Sequence, residues 1–178
     1  MAAPRDAAPL PTDSVYHFEA TLVDQEGRSS RFRDLRGRPR VVTFIYANCR
    51  YVCPLIVDGV KAIERELAPA ANLDIGFVLI TLDPVRDSPA ALKRLMTQRR
   101  LDASRWLLLQ PSPQDLRGLA GVLGTRYRAL ADGEFNHTAT LVLLDAEGRI
   151  IARSDRIGAR ADPEFLAAVH RACAVPAD

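Results

Sequence analysis

Polar and apolar positions alternate along some parts of this chain and recur at helical spacing along others, and the two periods mark out its elements. From Val15 to Val23, Tyr16, Phe18, Ala20 and Leu22 fall on one side and His17, Glu19 and Thr21 on the other, which predicts a half-buried strand with His17 on the wet face. Asp24-Gln25-Glu26-Gly27 turns the chain, and Ser29 to Phe32 returns as a short hairpin strand. Val41 to Tyr46 and Ile75 to Leu82 are apolar and rich in β-branched residues, as buried strands are, and the first is expected in the centre of a sheet. Ile56, Val60, Ile63 and Leu67 recur at spacings of four, three and four, one stripe of a helix whose wet side carries Lys61, Glu64 and Arg65. Ser88-Pro89 opens a second helix that packs Leu92, Leu95 and Met96, which makes Met96 a core residue. Trp106 to Leu109 reads as a strand, and Ser112-Pro113 as the start of a helix bearing Leu116, Leu119, Ala120 and Leu123. Thr138 to Leu144 is another strand, Asp145-Ala146-Glu147-Gly148 a tight turn, Arg149 to Ser154 its antiparallel mate, and Asp162-Pro163 the start of the last helix.

This order describes one α/β domain over residues 15–178, with a central mixed sheet flanked by helices and an N-terminal β-hairpin. Residues 1–14, rich in Ala and Pro and without periodicity, read as a disordered tail. Three helices begin with a capping residue followed by proline, and Cys53-Pro54 repeats that pattern with a thiol in place of the capping oxygen. At the N-cap, orphan backbone N–H groups and the helix dipole favour a thiolate, so a lowered Cys53 pKa is expected. Cys49 lies four residues earlier in the preceding loop. A cysteine pair between the first central strand and its helix is the thioredoxin-like arrangement.

Composition narrows the function classes. With 178 residues, 48% of them hydrophobic, the chain can bury a substantial core. No apolar stretch approaches the roughly 20 residues of a spanning helix, and the first residues lack the apolar centre of a signal peptide, so any anchor or signal is expected outside this sequence. A net charge of +2 argues against a polyanionic partner such as nucleic acid. Lys61 and Lys93 are the only lysines among 24 basic residues, and the arginines cluster at Arg28, Arg31, Arg33, Arg36, Arg38 and Arg40. This cluster reads first as a solvated surface and, more sharply, as a docking patch for an acidic protein. Cys173 shares a helix face with Leu166 and Val169 and reads as a small buried hydrophobe.

Cys49 and Cys53 are separated by three residues, where thiol-disulfide catalysts have two, and two thiols so placed can close on each other or on one metal ion. His137, immediately before the strand from Thr138, would add an imidazole. Two thiolates and an imidazole suit Cu(I) and can also hold Cu(II), whereas zinc prefers a fourth donor.

Cys49-Arg50-Tyr51-Val52-Cys53-Pro54, Asp83-Pro84-Val85-Arg86-Asp87 and His137 before an apolar strand, in this order, resemble the SCO/SenC/PrrC proteins, copper-binding assembly factors of respiratory cytochrome oxidase. The resemblance runs from about Phe18 through the last helix. It implies copper held by Cys49, Cys53 and His137, and a metallochaperone that delivers copper to, or prepares the thiols of, the binuclear site on the copper-bearing subunit of cytochrome c oxidase. It also implies dealings with other copper chaperones or thiol reductases, and tethering to the bacterial inner membrane with this domain on the periplasmic side. Asp87 is expected to buttress the copper loop or, more simply, to lead into the cap of the next helix. The chain departs from the family in a short segment before the histidine and in Asn136, where an acidic residue is frequent. The rival reading is a thiol-disulfide oxidoreductase using Cys49 and Cys53, with either thiol as the attacking one. A peroxide-reducing enzyme is a third, weakened by the absence of a Pro-x-x-x-Thr-x-x-Cys pattern.

Overall fold

In the computed structural model, which describes residues 8–49, 52–68 and 73–174, the chain runs through β1 (Thr21–Asp24), β2 (Ser29–Arg31), β3 (Arg40–Ile45), α1 (Val52–Leu67), β4 (Gly76–Thr81), α2 (Pro89–Arg99), β5 (Trp106–Pro111) and α3 (Leu116–Val122). It continues through β6 (Tyr127–Ala129), β7 (Phe135–His137), β8 (Leu141–Leu144), β9 (Ile150–Ser154) and α4 (Pro163–Ala174). Seven strands form one sheet in the order β2-β1-β5-β4-β3-β8-β9, with β3, β4 and β5 parallel and the outer strands antiparallel to their neighbours. This is the mixed, helix-flanked sheet and N-terminal hairpin that the sequence predicts.

All six residues of β3 and all six of β4 are buried, because both faces of the sheet are covered. Val41, Ile45, Phe77 and Leu79 pack against α1, α2 and α4 through Ile56, Val60, Ile63, Leu92, Met96 and Phe165. Val42, Phe44, Val78 and Ile80 face the other way, onto Leu116, Leu119 and Leu123 and onto Tyr16 and Phe32. Consecutive strand residues thus feed two separate cores, which is why neither strand shows polar alternation. Among the described residues, no helix is long and apolar enough to cross a membrane.

Three expectations change. Only Thr21–Asp24 of the first alternating segment is a strand, while Val15–His17 forms a single 3-10 turn capped by Ser14. The reason is tertiary: Val15 N donates to Gly148 O at 2.9 Å, and the Tyr16 ring lies where a Cβ on Gly148 would stand, 2.4 Å away. The chain is therefore bent under the β8–β9 turn, with Tyr16 fully buried and His17 exposed as expected. Secondly, the described part of the expected tail is tied down: Leu10 packs on the second core, and Ser14 Oγ donates to Glu147 O at 2.6 Å. Residues 1–7 lie outside the described residues. Thirdly, β6 and β7 form a separate two-stranded hairpin, so His137 ends a short strand of its own, and the strand expected from Thr138 begins only at Leu141.

The arginine cluster is largely neutralised in place. Arg28 pairs with Asp24, Arg36 with Glu147 and Arg38 with Asp74, while Arg40 is buried and donates from Nε to Leu35 O at 2.5 Å. Met96 is buried, and Cys173 is partly buried against the first core.

Asp24 closes the β1–β2 turn, accepting from Glu26 N and Arg28 N at 2.8 and 2.9 Å and from Arg28 Nε at 2.8 Å. Burial alone would raise its carboxyl pKa, but the Arg28 backbone N–H and guanidinium and the Glu26 N–H outweigh it and hold the pKa below its ordinary value. Asp24→Asn should therefore cost about 2 kcal/mol at neutral pH. A depressed folded-state pKa stabilises above the unfolded value of about 3.9 and is lost as pH falls through the folded value. Urea denaturation of the two proteins should show a gap near neutrality that closes in acid; a gap independent of pH would mean the charge contributes nothing.

Candidate metal centre

Because β3 and β4 are parallel, their carboxyl ends open on the same edge of the sheet, the place where α/β folds gather ligands. Leu82 N donates to Ile45 O at 2.8 Å, so the two chains stay paired one residue beyond the strands. From there β3 runs into the loop carrying Cys49 and on to α1, and β4 runs into Asp83-Pro84-Val85-Arg86-Asp87. Arg50 and Tyr51 lie outside the described residues.

The two cysteines are unequal, and not in the way the sequence predicts. Cys53 is inside the first turn of α1, which already includes Val52, rather than at its N-cap. Its side chain points into the first core and is only 5% exposed. Burial first, and then the neighbouring Cys49 thiol, push its pKa well above the ordinary thiol value, although Tyr46 N donates to its sulfur at 3.5 Å. The helix N-terminus serves Cys49 instead: Cys53 N donates to Cys49 Sγ at 3.3 Å. Cys49 is partly exposed, so it is the accessible thiol of the pair and the one that receives an orphan N–H of the helix.

Asp87 and Arg86 hold the surrounding loops. The Asp87 side chain is 1% exposed, and its Oδ2 accepts from Ala47 N at 2.9 Å and from Thr81 Oγ1 at 2.5 Å. Burial raises its pKa, opposed by these two donors. The helix cap falls to Ser88, whose Oγ accepts from Ala91 N at 3.3 Å. Asp87 thus buttresses the cysteine loop in addition to leading into the cap. Arg86 is ion-paired with Asp83 and donates to Gly133 O, which ties the same loop to the turn of the β6–β7 hairpin.

His137 is partly buried on β7, opposite Tyr127. Its Nδ1 lies 3.1 Å from Thr138 O, and a carbonyl can only accept, so Nδ1 carries the hydrogen and Nε2 the lone pair. Nε2 is buried and has no hydrogen-bond partner among the described residues, and burial lowers the imidazole pKa, which favours the neutral ring. This is the state in which histidine binds a metal, with the far nitrogen oriented by a carbonyl. The Tyr46 ring stands edge-on to His137 at 6.0 Å between centroids, and its hydroxyl donates to Glu134 Oε2 at 2.7 Å.

Cys49 Sγ therefore rests on the Cys53 backbone N–H, and His137 packs on the ring of Tyr46, which belongs to the same loop. Among the described residues, no three His, Cys, Asp or Glu side chains are gathered closely enough to hold an ion. The donors suit a soft ion: two sulfurs and a neutral imidazole with an unused lone pair. Sequence reasoning missed Tyr46, Thr81 and Glu134. Tyr46 is the only residue of its apolar run with a hydroxyl at the loop end, and a phenol there needs a partner. The Glu134 that supplies it lies 88 residues away, and nothing local announces it.

A family model described as SCO1/SenC matches residues 9–173. The SCO1 protein homolog of Bacillus subtilis is 27% identical over 86 residues, covering 48% of this chain and 44% of that protein. The chain spans 44% to 64% of the length of the first curated relatives it matches. Bradyrhizobium japonicum ScoI, solved with copper bound, superposes with a TM-score of 0.69 at 24% identity, covering 86% of this chain and 96% of that one. BsSco, described through a disulfide switch and as a member of the Sco family of cytochrome c oxidase assembly proteins, superposes with a TM-score of 0.75 at 20% identity, covering 94% and 99%. At these identities the two structures establish the fold.

Replacing Asp87 tests the buttress. Asp87→Ala leaves the Ala47 N–H and the Thr81 hydroxyl without an acceptor and should cost about 3 kcal/mol in chemical denaturation. Asp87→Asn keeps an acceptor oxygen and sheds a buried charge, so it should cost less than about 1 kcal/mol. Equal effects of the two would mean that the carboxylate is not what holds the loop.

Proposed function

The chain belongs to the SCO1/SenC family, and from that membership we propose that it is a metallochaperone whose cargo is copper, bound by Cys49, Cys53 and His137. The recipient is the binuclear copper site on a respiratory cytochrome c oxidase subunit, and the domain works on the periplasmic side of the bacterial inner membrane, to which the full-length protein is anchored. The observation that carries this reading is His137 Nε2, a buried lone pair with no partner among the described residues, on a hairpin whose Phe135 and His137 rings pack on Tyr46 of the cysteine loop.

An imidazole nitrogen buried without a hydrogen bond costs free energy, and a ligand that uses it returns that cost. Cu(I) accepts two sulfurs and one nitrogen, so this donor set is complete for it. Each residue has a separable part. Cys49, partly exposed, meets incoming or departing cargo first. Cys53, whose thiol is held up by burial, gives up its proton only in exchange for a strongly bound cation, which ties loading to proton release. His137 stays neutral and needs no deprotonation. Because the three donors are not gathered in this structure, loading brings the β6–β7 hairpin and the cysteine loop together.

The placement of Cys49 Sγ on the Cys53 N–H supports a second activity of the same pair, thiol-disulfide exchange, in which Cys49 and Cys53 become a disulfide as a disulfide between the cysteines of the oxidase copper site is reduced to two thiols. Cys49 is then the attacking thiol, because it is accessible and faces a helix N–H, while Cys53 is buried. Oxidising the pair removes two of three copper donors, so the two activities exclude each other in time.

Anaerobic titration of the reduced protein with Cu(I) and Cu(II) tests the reading. One tight equivalent is expected, weakened at least about tenfold in His137→Ala and more in Cys49→Ser. Binding indifferent to His137→Ala would leave a dithiol site and favour the oxidoreductase.

A further inference from the structure

His137 rides on a hairpin that pairs with nothing but itself: β6 and β7 form a two-stranded sheet of three-residue strands, detached from the seven-stranded sheet. A hairpin of that size is not stable alone, so its placement is decided by what clasps it. Arg86 holds its turn through Gly133 O. Nearer the histidine, Tyr46 Oη donates to Glu134 Oε2 at 2.7 Å and lies 3.4 Å from Phe135 N, which donates to it. The Tyr46 ring also packs on Phe135 at 5.1 Å and stands edge-on to His137 at 6.0 Å.

The same residue reaches both sulfur donors. Its backbone N–H donates to Cys53 Sγ at 3.5 Å, and its carbonyl accepts from Cys49 N at 3.2 Å. Ala47, the next residue, is pinned by Asp87, so Tyr46 projects from a fixed point of the loop. One residue therefore links the thiols, through its backbone, to the hairpin of His137, through its side chain. The phenol is also well satisfied in its hydrogen-bonded form: burial, the Cys49 thiol and Glu134 all raise its pKa.

We infer that Tyr46, with Glu134 as its partner, is a positioning residue for the metal centre: its hydroxyl clasps the β6–β7 hairpin and sets His137 relative to Cys49 and Cys53. This rests on the three-ligand copper reading. The effect on cargo runs through His137, so losing the clasp must cost nothing further once the imidazole is gone. Tyr46→Phe keeps the ring contacts and removes only the hydroxyl, Glu134→Ala removes the acceptor, and Glu134→Gln retains an acceptor oxygen.

Cu(I) affinity by anaerobic competition titration, for these variants with His137 present and with His137→Ala, forms a double-mutant cycle. Tyr46→Phe and Glu134→Ala should each weaken binding about tenfold, Glu134→Gln by less than about twofold, and the Tyr46→Phe/Glu134→Ala pair no more than Tyr46→Phe alone. In the His137→Ala background, Tyr46→Phe should change nothing. Without copper, amide exchange at Phe135 and His137 should accelerate in Tyr46→Phe and Glu134→Ala alone. An equal loss in both backgrounds would place the effect on the thiols and overturn the inference, as would unchanged amide exchange. Binding weakened by His137→Ala but indifferent to Tyr46→Phe would sink the positioning role and spare the copper reading. Binding indifferent to His137→Ala would remove both.

Discussion

The site depends on one buried carboxylate. Asp87, 1% exposed, joins the ends of two parallel strands by accepting from Ala47 beyond β3 and from Thr81 at the end of β4. Parallel pairing brings the two loops to one edge of the sheet, but it does not set their distance or angle. A buried hydrogen bond to a backbone N–H does, because the alternative, an N–H without an acceptor, is expensive. Arg86, the preceding residue, extends the same loop to Gly133. Five consecutive residues thus reach both the segment that carries the thiols and the hairpin that carries the imidazole.

Within that frame the thiols divide their labour by position on the helix. A cysteine at the N-cap would gain from the helix dipole; one inside the first turn, turned toward the core, loses more to desolvation than it gains. Cys53 is of the second kind, and its N–H is given to Cys49. The pair therefore offers one accessible sulfur and one that is anchored in the core, an arrangement suited to taking up and giving away an ion or a disulfide rather than keeping either. A neutral histidine with a buried lone pair is the third donor of the proposed site, and a soft one that adds no charge. This donor chemistry and the membership of the SCO1/SenC family are the two grounds for proposing copper as the cargo.

Much of this was legible in the sequence. Val41 to Tyr46 and Ile75 to Leu82 are apolar throughout because both faces of a central strand are covered, and that leaves its mark on every residue. The stripe Ile56, Val60, Ile63, Leu67 had to face a core, and does. Cys49, Cys53, His137 and the Asp83–Asp87 segment carry side chains rare enough, in a spacing specific enough, to be singled out before any fold is known. Period and residue type are local quantities, and these features depend on little else.

What the tertiary structure decided was each feature that rests on a distant partner. Val15–His17 alternates as a strand would, yet bends into a turn because Tyr16 must fit under Gly148, 132 residues later in the chain. Cys53 has the sequence of an N-cap, but where α1 begins, and which sulfur receives its N–H, followed from how the loop is pinned by Asp87. The β6–β7 hairpin was unreadable because strands of three residues have no period to detect, and its placement comes from Tyr46 and Arg86. The sequence by itself determined which donor atoms this protein has and the sheet that carries them. Their protonation and the distances between them were left to the fold, since burial and long-range hydrogen bonds are properties of contacts that the chain makes only once it is folded.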